Sequence, residues 1–346
     1  MNKNSKIKFA VGYQEPDNGE DFLSIVEDYR GQISEVYFAW PGKASGRPSL
    51  GKGRNVDDNG SVEDLEYNIS EIRKTGVKLD LLFNAACYGG KAASRELEKE
   101  TVTVAERVMT VAGGLEIITT SSIAIASVFK KHFPSVEVRA SVNMKIGSPE
   151  SMGYVSELFD SFHLQRDVQR NIRHALDTKK WCVENGKKLC ILANSGCLYC
   201  CPGQLFHDNL VAHDSEASGK EGIEGFVPHV CWNLFRDPEK RSAILKASWI
   251  RPEDLHNYEG IADVVKLATR IHSNPRMVID AYVNGRHDGN LLDLFEPTFS
   301  MVFAPAIISN RKFPPDWFEK TSTCDRRCHV CGYCREVFRQ TLTHLG

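Results

Sequence analysis

The chain has 346 residues, of which 42% are hydrophobic and 25% charged, and its 43 Lys and Arg nearly balance its 45 Asp and Glu. This composition is typical of a folded globular protein and argues against a disordered, collagen-like or membrane-spanning chain. A formal charge of -2 gives no overall attraction to nucleic acid or to an anionic membrane. The length accommodates one barrel of about 250 residues with a small extension.

Short apolar runs typical of β-strands alternate with amphipathic helical segments over most of the chain. Seven strands are predicted first, over residues 7–13, 35–40, 77–84, 115–119, 136–143, 159–164 and 188–193. Helices are predicted to begin with a capping box at Ser61, to begin at Ser148, and to cover 167–184. A long loop is expected over 208–230, with further strands at 243–250 and 263–267.

Strand and helix units in series favour a mostly parallel sheet covered by helices. We therefore predict an α/β fold, a TIM-barrel-like (β/α) barrel that need not be regular. The barrel domain is predicted over residues 1–275. A cysteine-rich extension is predicted over residues 276–346.

Polar residues are dense where the predicted strands end. In a barrel these ends form the face that carries active sites. Any one of these residues could simply make a turn hydrogen bond. Their occurrence on four strands predicts a shared pocket instead, lined by Asn84, Arg139, Ser141, Asn143, His163, Arg166 and Asn194.

The 11 cysteines are the unusual part of the composition. The N-terminal stretch has no apolar signal core, so we expect a cytoplasmic protein, in which clustered thiols usually bind metal or act in catalysis. Eight of the cysteines fall into two groups. The barrel-edge group is Cys197, Cys200, Cys201 and Cys231, and the C-terminal group is Cys324, Cys328, Cys331 and Cys334. Cys182 and Cys190 are expected to be ordinary core residues.

Each cysteine group supplies the four thiolates that a 4Fe–4S cluster needs. At the barrel edge zinc competes, because His207, His213 and His229 are near in sequence. The C-terminal CxxxCxxCxxC predicts a second cluster or a structural zinc site. Its first part also matches the CxxxCxxC of radical-SAM enzymes, but that motif normally follows the first strand of a barrel rather than the last.

Several stretches resemble peptidase family U-32, the collagenase-like proteases. The similar segments are SEVYFAWPG, NAACYGG, RASVNM, HLQRDV, LANSGCLYCCP, WIRPEDL and DVVKLATR, the last ending at Arg270. The resemblance covers about three quarters of the chain. Two positions depart from the family pattern: Ala268 stands where a glutamate is usual, and His256 stands where a cysteine is frequent.

The resemblance implies a barrel and an activity that differs from the family name. Members of the family include oxygen-independent hydroxylases of RNA and of quinone precursors, several with a 4Fe–4S cluster and with prephenate as oxygen donor. It implies that Cys197 and either Cys200 or Cys201 are cluster ligands, with Cys231 as a later one. The extra C-terminal group has no counterpart in this pattern.

We therefore expect an iron–sulfur enzyme that hydroxylates or otherwise modifies an organic substrate, a small aromatic molecule or an RNA base, without molecular oxygen. Asn84, Asn143, Arg166 and Asn194 would be catalytic. Arg139, Ser141, His163 and Arg270 would bind an anionic substrate. RNA is less favoured because the chain is not basic.

Two alternatives remain. Hydrolysis is one, although the sequence has neither an HExxH pair nor a GxSxG elbow. Cys87 beside a histidine could also act as a thiol nucleophile, but nothing in the sequence pairs them. A non-catalytic, cluster-bearing subunit that binds a paralogous protein is the other.

Overall fold

The computed structural model describes residues 6–14, 19–46, 59–217 and 219–345, with residues 59–61 described in backbone only. Eight parallel strands form a closed barrel in chain order, and β8 pairs with β1 to close it. The strands are β1 Phe9–Gly12, β2 Ile33–Ala39, β3 Lys78–Phe83, β4 Ile117–Thr120, β5 Glu137–Ala140, β6 Ser161–His163, β7 Lys188–Leu192 and β8 Val264–Leu267. The predicted TIM-barrel-like fold is confirmed.

Helices between the strands cover the outside of the barrel. Those that precede β8 are α1 Phe22–Asp28, α2 Asn59–Lys74, α3 Arg95–Ala112, α4 Ile123–His132, α5 Pro149–Gly153, α6 Arg166–Gln169, α7 Ile172–Glu184, α8 Gln204–Ala212, α9 Asp214–Ala217 and α10 Val230–Arg236. Those that follow it are α11 Pro275–Asn284, α12 Ser300–Phe303, α13 Trp317–Ser322 and α14 Tyr333–Thr341. Short 3-10 helices occupy Gly89–Lys91, Val142–Met144, Pro238–Lys246, Pro252–Tyr258, Leu291–Leu294 and Asn310–Lys312.

Local sequence signals explain many of these boundaries. The Ser94 side chain accepts from the Leu97 amide at the start of α3, and Gly113 ends the helix in a left-handed conformation. Helix α5 begins after Ser148, as the sequence predicted, and Ser148 and Ser151 cap it reciprocally.

Four predicted elements are wrong in detail. Residues 238–246 form a 3-10 helix where a strand was expected, because Ile244 and Leu245 are buried by packing rather than by sheet formation. The predicted helix over 167–184 is two helices, since Asn171 caps a new start at Ile172. Helix α2 begins at Asn59, so Ser61 lies within it, and the expected loop over 208–230 contains helical turns.

The C-terminal residues pack onto the barrel's outer helices. Strands β9 (Ala306–Ile308) and β10 (Leu342–His344) form a small antiparallel pair. The Trp317 ring stacks on Trp249, with ring centroids 5.6 Å apart and planes 12° apart. One hydrophobic cluster runs from the barrel strands to Phe338 in α14. Residues 276–346 therefore share a core with the barrel that precedes them.

No helix in the described part of the chain is both long enough and apolar enough to span a membrane.

Candidate functional site at the barrel rim

The loop after β2 brings three of the predicted site residues together at the C-terminal rim. The Gly46 amide donates to Asn84 Oδ1 at 2.9 Å, and Asn143 Nδ2 donates to the Asn84 carbonyl at 3.1 Å. Arg270 Nη2 donates to the hydroxyl of Ser45 at 3.1 Å. A Cβ on Gly46 would lie 2.7 Å from Asn143 Nδ2, so a glycine is required for this close approach. The rim therefore joins Asn84, Asn143 and Arg270 through Ser45 and Gly46.

Ser141 supports this rim from below. Its side chain is buried, and its Oγ accepts from the Asn143 amide at 3.2 Å at the start of a 3-10 turn. It therefore orients Asn143 and presents no free surface to a ligand.

A buried arginine faces the barrel-edge cysteines. Arg166 Nη1 lies 3.2 Å from Cys197 Sγ and 3.3 Å from Ser195 Oγ, and the side chain is 7% exposed. Gly196 fixes this turn, because a Cβ there would lie 2.6 Å from the Pro297 carbonyl oxygen. The arrangement places a guanidinium beside a thiol at the barrel rim.

Cys197, Cys201 and Cys231 neighbour one another. Burial, together with the nearby Cys197 and Cys201 thiols, raises the pKa of Cys231 to about 11. Burial also raises the pKa of Cys201, while Arg166 acts in the opposite direction. Burial therefore favours the protonated form of Cys201 and of Cys231, and both thiols lie near Cys197 and the Arg166 guanidinium.

Cys200 departs from this group. It is exposed and has a φ of 46°, its amide donates to Asp167 Oδ1 at 3.0 Å, and its thiol bonds to the Tyr199 hydroxyl. This geometry favours Cys201 over Cys200 as the partner of Cys197.

The C-terminal cysteines also lie near one another. Burial raises the pKa of Cys334, and the thiols of Cys328, Cys324 and Cys331 add to this effect. The backbone amide of Arg326, at a φ of 61°, donates to Cys324 Sγ at 3.3 Å. The four thiols are thus gathered around one turn and the start of α14.

The two cysteine groups meet through a ring contact. The Arg326 guanidinium lies 4.5 Å from the centroid of the Tyr199 ring, next to Cys200. Arg170 is buried beside the stacked rings of Trp249 and Trp317, about 5 Å from each ring centroid, and its charge acts on Cys334.

The thiols are gathered but not assembled as a metal centre. Among residues 6–14, 19–46, 59–217 and 219–345, no three His, Cys, Asp or Glu side chains are arranged to hold a metal ion. The donor type fits a thiolate-bound metal or cluster. Binding would require the thiols of each group to turn toward a common centre.

Arg139 is placed differently from the prediction that it binds substrate. It is 1% exposed inside the barrel, its Nη1 and Nη2 bond to Glu35, and Nη2 bonds to Glu137 at 2.8 Å. Its Nε donates to Ser161 at 3.0 Å. These bonds engage all three nitrogens, so Arg139 neutralises interior carboxylates rather than holding a ligand.

Asn194 and His163 are also interior residues. Asn194 Nδ2 donates to the Ala268 and Leu294 carbonyls at 2.9 Å, and its Oδ1 accepts from the Ala268 amide at 2.6 Å. Asn194 therefore ties the end of β7 to the end of β8, and its fully buried side chain uses both amide hydrogens for this structural role. Burial holds the pKa of His163 well below its usual range, and Nδ1 lies 3.3 Å from the Ala140 carbonyl. His163 is thus a neutral core histidine.

A cavity of about 490 Å³ adjoins the rim, shares Ser45 with it, and was not predicted from the sequence. Its wall includes Cys87, His213 and Glu216, which come from two distant parts of the chain. His213 was considered only as a zinc ligand, and no spacing rule connects it with Cys87.

Comparisons with known proteins agree with this architecture. No protein-family model matches the chain. The chain is 26% identical over 315 residues to the uncharacterized protease MJ1657 of Methanocaldococcus jannaschii, with 89% of this chain and 88% of that protein covered. The solved structure of the U32 peptidase Mk0906 covers 77% of this chain and 94% of its own, at 12% identity and a TM-score of 0.53. Together with the closed barrel, these two proteins confirm the predicted resemblance of this chain to peptidase family U-32.

Proposed function

We propose that the chain is an iron–sulfur enzyme that modifies an anionic organic substrate at the barrel rim by oxygen-independent hydroxylation or a related redox step. The observation that carries this proposal is the contact between Arg166 and Cys197, with Cys201 and Cys231 nearby. Thiolate ligands are anionic, so a buried guanidinium beside them stabilises their charged form. A cysteine that only packs in the core would not need such a cation.

Cys197, Cys201 and Cys231 would hold the cluster at the barrel edge. When bound, a 4Fe–4S cluster supplies electron transfer and a Lewis-acidic iron. Three protein thiolates leave one position for a further ligand, as in metal sites that act on substrate. The four C-terminal cysteines would hold a second cluster or a structural zinc ion.

The rim residues suggest the substrate class. The Arg270 guanidinium is buried beside Ser45, and Asn84 and Asn143 reach the same rim from two other loops, where they bond to Gly46 and to each other. A guanidinium binds carboxylate or phosphate in a forked geometry, and the amides orient neighbouring polar atoms. A small carboxylate such as prephenate fits this chemistry better than RNA, which needs a broad basic surface.

Metal content tests the proposal directly. Iron, sulfide and zinc per chain would be measured in protein purified without oxygen, for wild type, Cys197→Ala and Cys331→Ala. Cys87→Ala is the matched control, since Cys87 belongs to neither group. We expect each group variant to lose its own metal and the control to lose none.

The result that would contradict the proposal is equally concrete. If wild-type protein contains no iron and no sulfide and shows no absorbance at about 400 nm, a cluster is excluded. Zinc lost only from Cys331→Ala would support a structural C-terminal site alone. Size-exclusion chromatography with and without a paralogous protein separates a self-sufficient enzyme from a subunit.

Peptide hydrolysis is the alternative that the names of the two relatives suggest. A metal-dependent peptidase usually binds its metal through histidine and carboxylate side chains, as in an HExxH pair. The sequence has no HExxH pair, and the metal-ligand candidates gathered in the two groups are thiols. Metal-dependent hydrolysis therefore has less support than the redox proposal.

A further inference from the structure

Cys87, His213 and Glu216 form a connected group on the wall of the 490 Å³ cavity. Cys87 lies in the loop after β3, and the two other residues lie at the end of α8 and in α9. The Cys87 thiol and the His213 ring are neighbours on this wall, and each shifts the pKa of the other, while His213 Nδ1 lies 3.0 Å from Glu216 Oε1. The group therefore has the order thiol, imidazole, carboxylate.

The backbone also favours a thiolate at this position. The Gly89 amide donates to Cys87 Sγ at 3.3 Å. Gly89 has a φ of 55°, and a Cβ there would lie 3.6 Å from His213 Cε1. The hydrogen bond from His213, followed by the Gly89 amide, lowers the pKa of the Cys87 thiol. In return, the interaction with the Cys87 thiol raises the pKa of His213, and Glu216 adds to this effect.

We infer that Cys87 is the nucleophile of an acyl-transfer site that hydrolyses a carboxylic ester or amide bound in this cavity. His213 is its general base and acid, and Glu216 is a positioning residue that orients the ring. The site uses no metal, so it is independent of the redox function proposed above.

The chemistry balances without an oxidant or reductant. The Cys87 sulfur attacks the carbonyl carbon and forms a C–S bond, while the bond from that carbon to nitrogen or oxygen breaks. The leaving group takes a proton from the His213 imidazolium. Water then attacks the thioester and gives its proton to His213, which releases the carboxylic acid and restores the thiolate–imidazolium pair.

The cavity walls suit a mostly neutral acyl group. Phe83, Leu97 and Ala212 are buried apolar residues of its lining. The remaining charged groups are largely paired with one another: Glu100 binds Lys43 at 3.2 Å and Lys91 at 3.0 Å. Asp214 adds a negative charge next to His213. Such a wall offers little electrostatic attraction to an anionic acyl chain.

Thiol reactivity gives the first test. Cleavage after lysine releases residues 79–91 as one peptide with Cys87 as its single cysteine. Iodoacetamide labelling at about pH 7 would be followed on this peptide by mass spectrometry, with the exposed Cys200 as an internal reference. We expect Cys87 to label faster than Cys200, and His213→Ala to slow it about tenfold.

A matched control comes from the same helix. His207→Ala removes a histidine from α8 that is not part of the group, so labelling of Cys87 should not change. Equal labelling rates of Cys87 in wild type and in folded His213→Ala would overturn the inference.

Acyl transfer gives the second test, with p-nitrophenyl acetate as the probe. Wild type should release nitrophenolate and carry an acetyl group on the 79–91 peptide, and Cys87→Ala should carry none. Acetyl found on other cysteine peptides but not on this one would refute the assignment of the nucleophile.

The role of Glu216 has its own readout. Glu216→Gln should raise the pH at which Cys87 labelling is half-maximal, and Glu216→Asp should restore part of the shift. An unchanged pH profile in Glu216→Gln would show that this carboxylate does not orient His213.

Discussion

Replacing Arg139 with methionine tests whether this arginine is structural or binds substrate. The substitution keeps much of the side chain's volume but leaves Glu35 and Glu137 without their buried cation. Removing one partner of a buried ion pair costs about 3–5 kcal/mol, because the other charge stays buried and unpaired. The 1% exposure of Arg139 leaves no route for solvent to replace the lost partner.

That cost can be converted into a melting temperature. Unfolding entropy is about 2.1 cal/mol/K per residue, so for 346 residues a loss of 3–5 kcal/mol lowers the midpoint by about 4–7 °C. The assay is thermal unfolding followed by circular dichroism in reducing buffer, supported by urea unfolding. Glu35→Gln should cost less in the Arg139→Met background than in wild type, because the two substitutions remove the same ion pair.

A surface ion pair provides the control. Arg107 binds Glu66 with its side chain 56% exposed, so Arg107→Met should change stability by less than about 1 kcal/mol. If Arg139→Met proved as mild as this control while weakening the binding of an anionic ligand, the interior role of Arg139 would be wrong.

Three further predictions follow from the described contacts. Asn194→Ala should lower the free energy of unfolding, measured in urea, by about 3 kcal/mol, since it leaves three buried backbone groups without partners. Asn143→Ala removes one side-chain bond to the Asn84 carbonyl and should lower it by about 1 kcal/mol or less. Gly196→Ala should lower the free energy of unfolding by about 1–3 kcal/mol and reduce the metal content of the barrel-edge group, because its Cβ would clash with the Pro297 carbonyl. The control is Gly31→Ala, whose Cβ would contact nothing, so it should change neither the free energy of unfolding nor the metal content. Glu137 should contribute to acid unfolding: burial raises its pKa, but Arg139 and Lys188 bring it down to about 2. A lowered carboxyl pKa adds stability above the unfolded value of about 4.3 that disappears as the pH falls toward 2, so Glu137→Gln should flatten the stability curve in this window.

The strand pattern could be predicted because each barrel strand is a short apolar run with a polar or glycine-containing end. The same rule failed over residues 243–250. Ile244 and Leu245 are fully buried there in a 3-10 helix, and the buried Trp249 lies in the irregular segment after it and stacks on Trp317 of the C-terminal segment. A short apolar run shows that a segment is buried but does not identify the element that buries it.

The sequence predicted a site at the C-terminal ends of the strands but could not predict the direction of each side chain there. Asn84 and Asn143 reach the rim, while Arg139 lies within a strand and turns into the barrel. Asn194 stands at a strand end but bonds to the backbone of a strand and a turn far along the chain. Such partners depend on tertiary structure, so a strand-end position alone cannot separate a ligand-binding amide from a structural one.

The environments of the cysteines separate their roles more sharply than their spacing does. Cys182 and Cys190 are fully buried, as predicted, and burial raises their pKa values to about 11 and about 12. Cys87 is the opposite case, since hydrogen bonds lower its thiol pKa. Spacing placed Cys200 in the barrel-edge group, but its backbone turns the thiol toward Tyr199. A thiol's neighbours, rather than its place in a CxxC motif, determine its chemistry.

The contact between Arg326 and Tyr199 makes the two cysteine groups physically dependent on each other. Arg326 Nη1 also donates to the Lys246 carbonyl at 2.9 Å, and its backbone amide bonds to Cys324. Deleting the C-terminal segment would therefore remove its own thiols and also uncover Tyr199 beside Cys200. Metal loss in a truncated chain could then arise at either group. Single substitutions such as Cys331→Ala leave Arg326 in place, so they are the changes that can assign a metal to one group.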